Sequence, residues 1–217
     1  MGKLNFFKRK ECTVLTWQGW ILILTVLFIL FAGFLKFIPA FLSVNKPIGG
    51  NILVLDGMMP DFSIKEAIHV FNIGNYDLIV VTGGKIQTGY FIGGYQTMAE
   101  VTAASFLQMG FDKDKIVAIP GGEYKRDRTY NSAVSLKKWI KENNINVKKI
   151  DVLAVGSHAR RSRFLFARAM ENEYEVGIVS VKDPAYNPDN WWKTSVGVRT
   201  VLSETIAYFY VLLFFND

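Results

Sequence analysis

Val152-Leu153-Ala154-Val155-Gly156-Ser157-His158-Ala159-Arg160-Arg161-Ser162-Arg163 has two halves of opposite character. An apolar, partly β-branched run stops at Gly-Ser-His, and an arginine-rich helical pattern begins at once. Such a junction reads as a buried parallel strand feeding a helix, with polar groups gathered at the strand's C-terminal end. In open α/β sheets, ligands bind above the carboxyl ends of the strands. A helix N-terminus with arginines in its first turn also suits an anion, through backbone N–H groups and fixed positive charge. The plainer alternative is that His158 and the arginines decorate a solvated helix start.

Outward from this junction the same alternation repeats. Asn51-Ile52-Leu53-Val54-Leu55-Asp56-Gly57 reads as a buried strand ending on a carboxylate and a glycine. Residues 63 to about 75 carry Ile64, Ala67, Ile68 and Phe71 at helical spacing. Asp77 to Gly84 is a second strand running into Gly83-Gly84, where glycines let a backbone come close to a ligand. A flexible loop through Tyr90, Gly93 and Gly94 suits a lid and leads to a helix over about 95–109, with Glu100 in its early turns. Residues 115–119 form a short third strand closed by Pro120-Gly121-Gly122, followed by a charged loop with Glu123, Lys125, Arg126, Asp127 and Arg128. Thr129 caps a helix to about residue 143, and 174–181 is a fifth strand. A last, very apolar helix over 198–215 either packs on the sheet or lies against a membrane; packing on the sheet is the expectation. Strands alternating with helices at these spacings imply βαβ units. The fold class expected is α/β: a Rossmann-like three-layer sandwich with a mostly parallel sheet of about five strands. Neither a G-x-G-x-x-G fingerprint after the first strand nor a P-loop is present.

A membrane segment precedes this domain. From Trp17 to about residue 35 the chain is almost wholly apolar, with Trp17 and Trp20 at one edge and Lys36 at the other. About 20 such residues cross the hydrocarbon core as a helix, and tryptophans favour the interface. A cleaved signal peptide would have a shorter apolar run and small residues at its end, which Lys36-Phe37-Ile38-Pro39-Ala40-Phe41 lacks. Of the formal charge of +6, +3 comes from Lys3, Lys8, Arg9 and Lys10 against Glu11, ahead of the apolar run. Half of the basic excess is thus a membrane-flanking tail, and no nucleic-acid surface is indicated. The expected plan is a basic cytoplasmic tail over 1–16, an anchor over 17–38, a linker over 39–50 and the α/β domain over 51–217. The protein would cross the cytoplasmic membrane once, N-terminus inside and domain outside. The sole cysteine, Cys12, excludes a disulfide framework, and with only His69 and His158 no zinc site is expected.

The motifs, taken in order, resemble the bacterial YdcF–SanA–ElyC family over about residues 51–210. They are Leu55-Asp56-Gly57, Thr82-Gly83-Gly84, the helical Glu100, Arg128-Thr129-Tyr130-Asn131-Ser132-Ala133 and Gly156-Ser157-His158-Ala159-Arg160-Arg161, with Trp192 and Glu204 following. The sequence departs from the family pattern at Asp56, where a glycine-rich turn is usual, and at Arg128, which replaces an asparagine. The resemblance implies a Rossmann-like fold and, for anchored members, a role in maintaining the cell envelope, linked to surface glycans such as peptidoglycan or to their lipid carriers.

Threading these motifs onto a doubly wound sheet puts Asp56, Gly57, Thr82, Gly83, Gly84, Thr129, Asn131, Ser157, His158 and Arg161 along one edge, with Glu100 and Arg126 reaching in. His158, Asp56 and Glu100 are the candidate catalytic groups, and the rest candidate ligand-binding groups. The mixture suits a phosphate-bearing or otherwise anionic ligand. One expectation is an enzyme that hydrolyses or transfers a phosphorylated or lipid-linked glycan precursor, with His158 moving the proton. Asp56 or Glu100 would orient water or a divalent cation. Ser157 lacks the G-x-S-x-G elbow, and no triad can be assigned. The other expectation is a non-catalytic module that holds such a precursor or steers envelope-assembly proteins. A nucleotide or S-adenosylmethionine cofactor is disfavoured by the expected topology.

Overall fold

The structure, a computed structural model, describes residues 12–57, 59–87, 93–122 and 126–215. Residues 1–11 of the basic tail, Tyr90 of the glycine-flanked loop, and Glu123 and Lys125 lie outside the described residues. The chain divides into two compact units that part between Phe37 and Ile38.

Helix α1, Trp17–Leu42, has a mean hydropathy of 2.7 over its most apolar stretch. At 1.5 Å per residue its 26 residues span about 39 Å, more than the ~30 Å hydrocarbon core. It is long and apolar enough to cross a membrane. The helix runs beyond residue 38, so 39–42, expected as linker, are helical. This last turn belongs to the second unit, where Ile38, Pro39 and Leu42 are buried. The chain then adds an antiparallel bridge from Lys46 to Ile178.

The second unit holds strands β1 (Ile52–Asp56), β2 (Leu78–Gly83), β3 (Ile116–Pro120), β4 (Lys149–Val155) and β5 (Glu175–Val181). Every pairing between them is parallel, in the order β3-β2-β1-β4-β5. Helices α2 (Asp61–Ile73), α3 (Met98–Gln108), α4 (Arg128–Glu142) and α5 (Ala159–Met170) follow successive strands. Alternate residues of each strand face opposite cores. Leu53, Leu55, Ile79 and Val81 pack with Ile64, Ala67 and Phe71 of α2 and Ala99 and Phe106 of α3. Ile52, Val54, Ile150 and Val152 pack with Leu136 and Ile140 of α4 and Phe166 and Met170 of α5. The result is an α/β, Rossmann-like three-layer sandwich. Its strand order reverses between β1 and β4, and that switch point is where such sheets open a crevice for ligands.

Helix α6, Ser195–Phe214, departs from the expectation that it packs on the sheet. Only Gly197, Val201 and Val211 are buried. Both faces of the sheet are already covered by α2 to α5, so α6 packs mainly against α5 and the 3-10 segment Pro188–Lys193. It too is long and apolar enough to cross a membrane, with 22% of its apolar stretch buried against 6% in α1.

Candidate functional site

The β1 and β4 termini flank the switch point, and each ends in a residue built for a tight turn. Gly57, at φ +79°, takes the left-handed conformation that glycine tolerates best, and its N–H donates to the Thr82 carbonyl at 2.7 Å. At the end of β2, a Cβ on Gly83 would stand 2.9 Å from the Ala99 backbone nitrogen. Glycine there lets the N-terminus of α3 pack on the turn. At the start of α4, Asp127 holds a left-handed conformation, φ 51°, and gives the helix no side-chain cap. Among the described residues, the first-turn N–H groups of α4 therefore receive no cap from the Asp127 side chain, at an end where the helix dipole is positive.

These termini surround a cavity of about 490 Å³, lined by Asp56 and Gly57 from β1, Gly83 and Gly84 from β2, Met98 from α3, Asp127, Arg128, Thr129 and Ser132 at α4, His158, Arg161 and Leu165 at α5, and Ala207, Tyr210 and Val211 from α6. His158 sits where β4 passes into α5. Its Nδ1 lies 3.2 Å from Glu204 Oε1 and 3.0 Å from Arg161 Nη2. Arg161 in turn grips Glu204 with two bonds, Nε to Oε2 at 2.8 Å and Nη2 to Oε1 at 3.0 Å. Burial pushes the Glu204 carboxyl upward, but the hydrogen bonds from His158 and Arg161 outweigh it and hold the pKa at about 2. Nδ1 has a partner in either neutral tautomer. Protonated, it donates to Glu204 and leaves Nε2 as an acceptor; unprotonated, it accepts from Arg161 and leaves Nε2–H as a donor. The imidazole is thus held by two charged groups while its ring borders the cavity.

Of the residues expected at the site, the structure brings Asp56, Gly57, Gly83, Gly84, Thr129, His158 and Arg161 to one cavity. The others do not line it. Thr82 is buried, and its hydroxyl donates to the Leu55 carbonyl at 3.2 Å. Ser157 is buried, with Oγ 2.8 Å from the Tyr186 hydroxyl, so it does not face the cavity as a nucleophile. Glu100 does not line the cavity: its carboxylate accepts from the N–H groups of Gln96 and Thr97 in a capping box. Asn131 turns its amide to the carbonyls of Arg126 and Asp127, and the exposed Arg126 is not on the wall. Arg161 is on the wall, but its charge is neutralised by Glu204.

The spacing of motifs did not single out Asp127, Arg128 or Ser132 as wall residues, nor the apolar side made by Met98, Leu165, Ala207, Tyr210 and Val211. Glu204, named with the family motifs but not as a site residue, left a second signal: it is the lone carboxylate of a mostly apolar helix, and a charge there needs a partner. With Arg161 paired to Glu204, the charged wall residues left are Asp56 and Asp127 against Arg128. An anion in this cavity would be held by helix N-terminal N–H groups, Arg128 and His158 rather than by net side-chain charge. Among the described residues no group of three or more His, Cys, Asp or Glu is placed to hold a metal ion. Compared with known proteins, the chain matches no family model, and no curated protein is similar to it.

Proposed function

We propose that this is a membrane-anchored envelope protein whose α/β domain binds the phosphate end of a lipid-linked glycan precursor and hydrolyses or transfers it. The observation that carries this reading is His158: its Nδ1 is engaged by Glu204 and Arg161, and its ring borders the crevice at the sheet's switch point. In hydrolysis, a water oxygen would attack phosphorus while His158 takes the water's proton. The P–O bond between that phosphorus and the bridging oxygen of the diphosphate then breaks, and the imidazolium returns the proton to this leaving oxygen. Arg128 and the N–H groups at the start of α4 would balance the phosphate charge. Asp56 would orient the water. The motif order supports placing the chain with the YdcF–SanA–ElyC family, and the charge ahead of α1 supports an N-terminus in the cytoplasm with the domain outside.

Full-length protein in vesicles, offered a polyprenyl diphosphate, tests this. Release of inorganic phosphate by the wild type, its loss in His158→Ala with probe binding retained, and weakened binding in Arg128→Ala are the expected results. Wild type that neither binds nor turns over the probe overturns the proposal.

A second reading has its own support. Ser157, the nearest hydroxyl in sequence, is buried against Tyr186, and no activated nucleophile lines the cavity among the described residues. A non-catalytic module that holds the precursor for envelope-assembly partners would bind the probe without turnover. His158→Ala and Arg161→Ala would then lose binding together.

A further inference from the structure

We infer that the C-terminal half of α6 is a bilayer-docking surface that holds the cavity mouth at the level of the lipid headgroups. Its outer face is apolar and uncovered. Ile206 is 71% exposed, Leu213 68% and Phe214 66%, with Phe209 and Tyr210 also exposed. Ile206, Phe209 and Leu213 follow one another at three- and four-residue spacing, so they form a single row on the helix. Counting back, the same row passes through Leu202 to the exposed Arg199. A row of apolar side chains with a cation at one end fits a helix lying in the headgroup layer, its cation reaching toward anionic lipid. From Ile206 to Phe214 the helix is only about 13 Å long, too short to cross the hydrocarbon.

The chain's own connectivity says what covers this face. Phe41 in the last turn of α1 lies on α6, 5.6 Å from the Tyr208 ring and stacked at 6.5 Å and 9° on Phe209. Arg160 of α5 locks the contact: its guanidinium sits 3.9 Å from the Phe41 ring centre, and its Nε donates to the Phe41 carbonyl. Phe41 is four residues beyond Phe37, so about 6 Å of helix joins this cluster to the membrane-compatible stretch. Only four residues of chain therefore separate the α6 face from the end of the membrane-compatible stretch, and a lipid surface is the partner within reach. Ala207, Tyr210 and Val211 of the same helical half line the cavity. An amphiphile's polar end could reach His158 while its hydrocarbon stays in the membrane. The docking surface itself does not depend on the phosphate-binding reading, because it rests on α6 and Phe41 alone.

The test uses the full chain with Cys12→Ser and single cysteines at Ile206, Phe209 or Leu213, each labelled with a polarity-sensitive fluorophore. Lys138→Cys, on exposed α4 surface, is the control. In dilute vesicles of phosphatidylethanolamine and phosphatidylglycerol, the three α6 labels should shift to the blue and lose most of their emission to lipids with a nitroxide on the acyl chain; the control should do neither. If the α6 labels behave like the control, the inference is wrong. It is equally wrong if their shift grows with protein-to-lipid ratio, because a second copy of the chain then covers the face. Hydroxyl-radical footprinting of the unlabelled chain in the same vesicles guards against damage by labelling. Phe209, Tyr210 and Phe214 should be protected while exposed Tyr95 is oxidised, and equal oxidation overturns the inference.

Discussion

Asp151 shows how a single buried charge fixes the end of the sheet away from the cavity. It is fully buried in β4, and its carboxylate accepts from the N–H groups of Ile48 and Gly50, each at 2.9 Å, and from the Tyr76 hydroxyl at 3.1 Å. Burial, then the charge and hydrogen bond of Asp151, push the Tyr76 phenol well above its usual range. A Cβ on Gly177, its partner across the strand pair, would stand 1.9 Å from Asp151 Oδ1, so only glycine fits there. Asp151→Ala strands three donors, the Gly50 N–H buried and the other two half-buried, and should cost about 3 kcal/mol in denaturant unfolding, with Asp151→Asn between it and wild type. Glu204 makes a different prediction, because its pKa is depressed from 4.5 to about 2 by the His158 and Arg161 bonds that overcome burial. A depressed carboxylate contributes stability that is full above its unfolded pKa and is lost as pH falls through the folded one. The contribution, up to about 3 kcal/mol, should therefore disappear between about pH 4.5 and 2. Glu173, held near 2 by Lys141 and Lys137, titrates in the same range. The measurement that isolates Glu204 is thus the difference in stability between wild type and Glu204→Gln, which should shrink toward zero across that window.

At the scale of elements, α3 separates a structural carboxylate from a chemical one. Thr97 accepts from the Glu100 N–H at 3.2 Å, and the Glu100 carboxylate accepts from the Thr97 N–H at 3.0 Å. Glutamine at this position preserves the box, so Glu100→Gln should leave both unfolding and probe turnover close to wild type. Thr97→Ala should cost about 1 kcal/mol. Loss of turnover in Glu100→Gln with stability intact would return Glu100 to the chemistry. The same element shows what a sequence makes legible. The five strands are local, continuous apolar runs, and α2 to α5 carry core residues at helical spacing, so elements and their order follow from neighbours along the chain. The side-chain directions do not. Thr82, Glu100, Asn131 and Ser157 all stand near strand or helix ends, as site residues would, yet each is taken by a nearby polar group that spacing alone does not reveal. His158 and Glu204 are 46 residues apart, a pairing set by how α6 lies against α5. The destination of α6 was illegible for a related reason: an apolar helix reads alike whether protein or lipid covers it.

At the scale of the whole molecule, the arrangement of charge and thiol allows the topology to be read directly. Lys3, Lys8, Arg9 and Lys10 precede α1, and Cys12, the sole cysteine, is exposed on the same side of that helix in sequence. Basic residues are retained on the cytoplasmic side of a first helix, so the domain after α1 should lie outside. With a membrane-impermeant maleimide on intact bacterial cells, a cysteine placed at Lys138 in a Cys12→Ser background should be labelled. The native Cys12 should react only after the membrane is opened. The reverse pattern would put the His158 cavity in the cytoplasm. It would remove the main objection to a nucleotide or S-adenosylmethionine ligand, and it would move the α6 docking surface to the inner leaflet. Anionic lipids are enriched in a cytoplasmic leaflet, and Arg199 at the end of the apolar row would meet a stronger negative potential there. Raising ionic strength should then weaken nitroxide quenching at Ile206 more than apolar burial alone allows. Labelling at Lys138 and Cys12 therefore decides which ligands can reach the cavity and how salt-sensitive the docking surface should be.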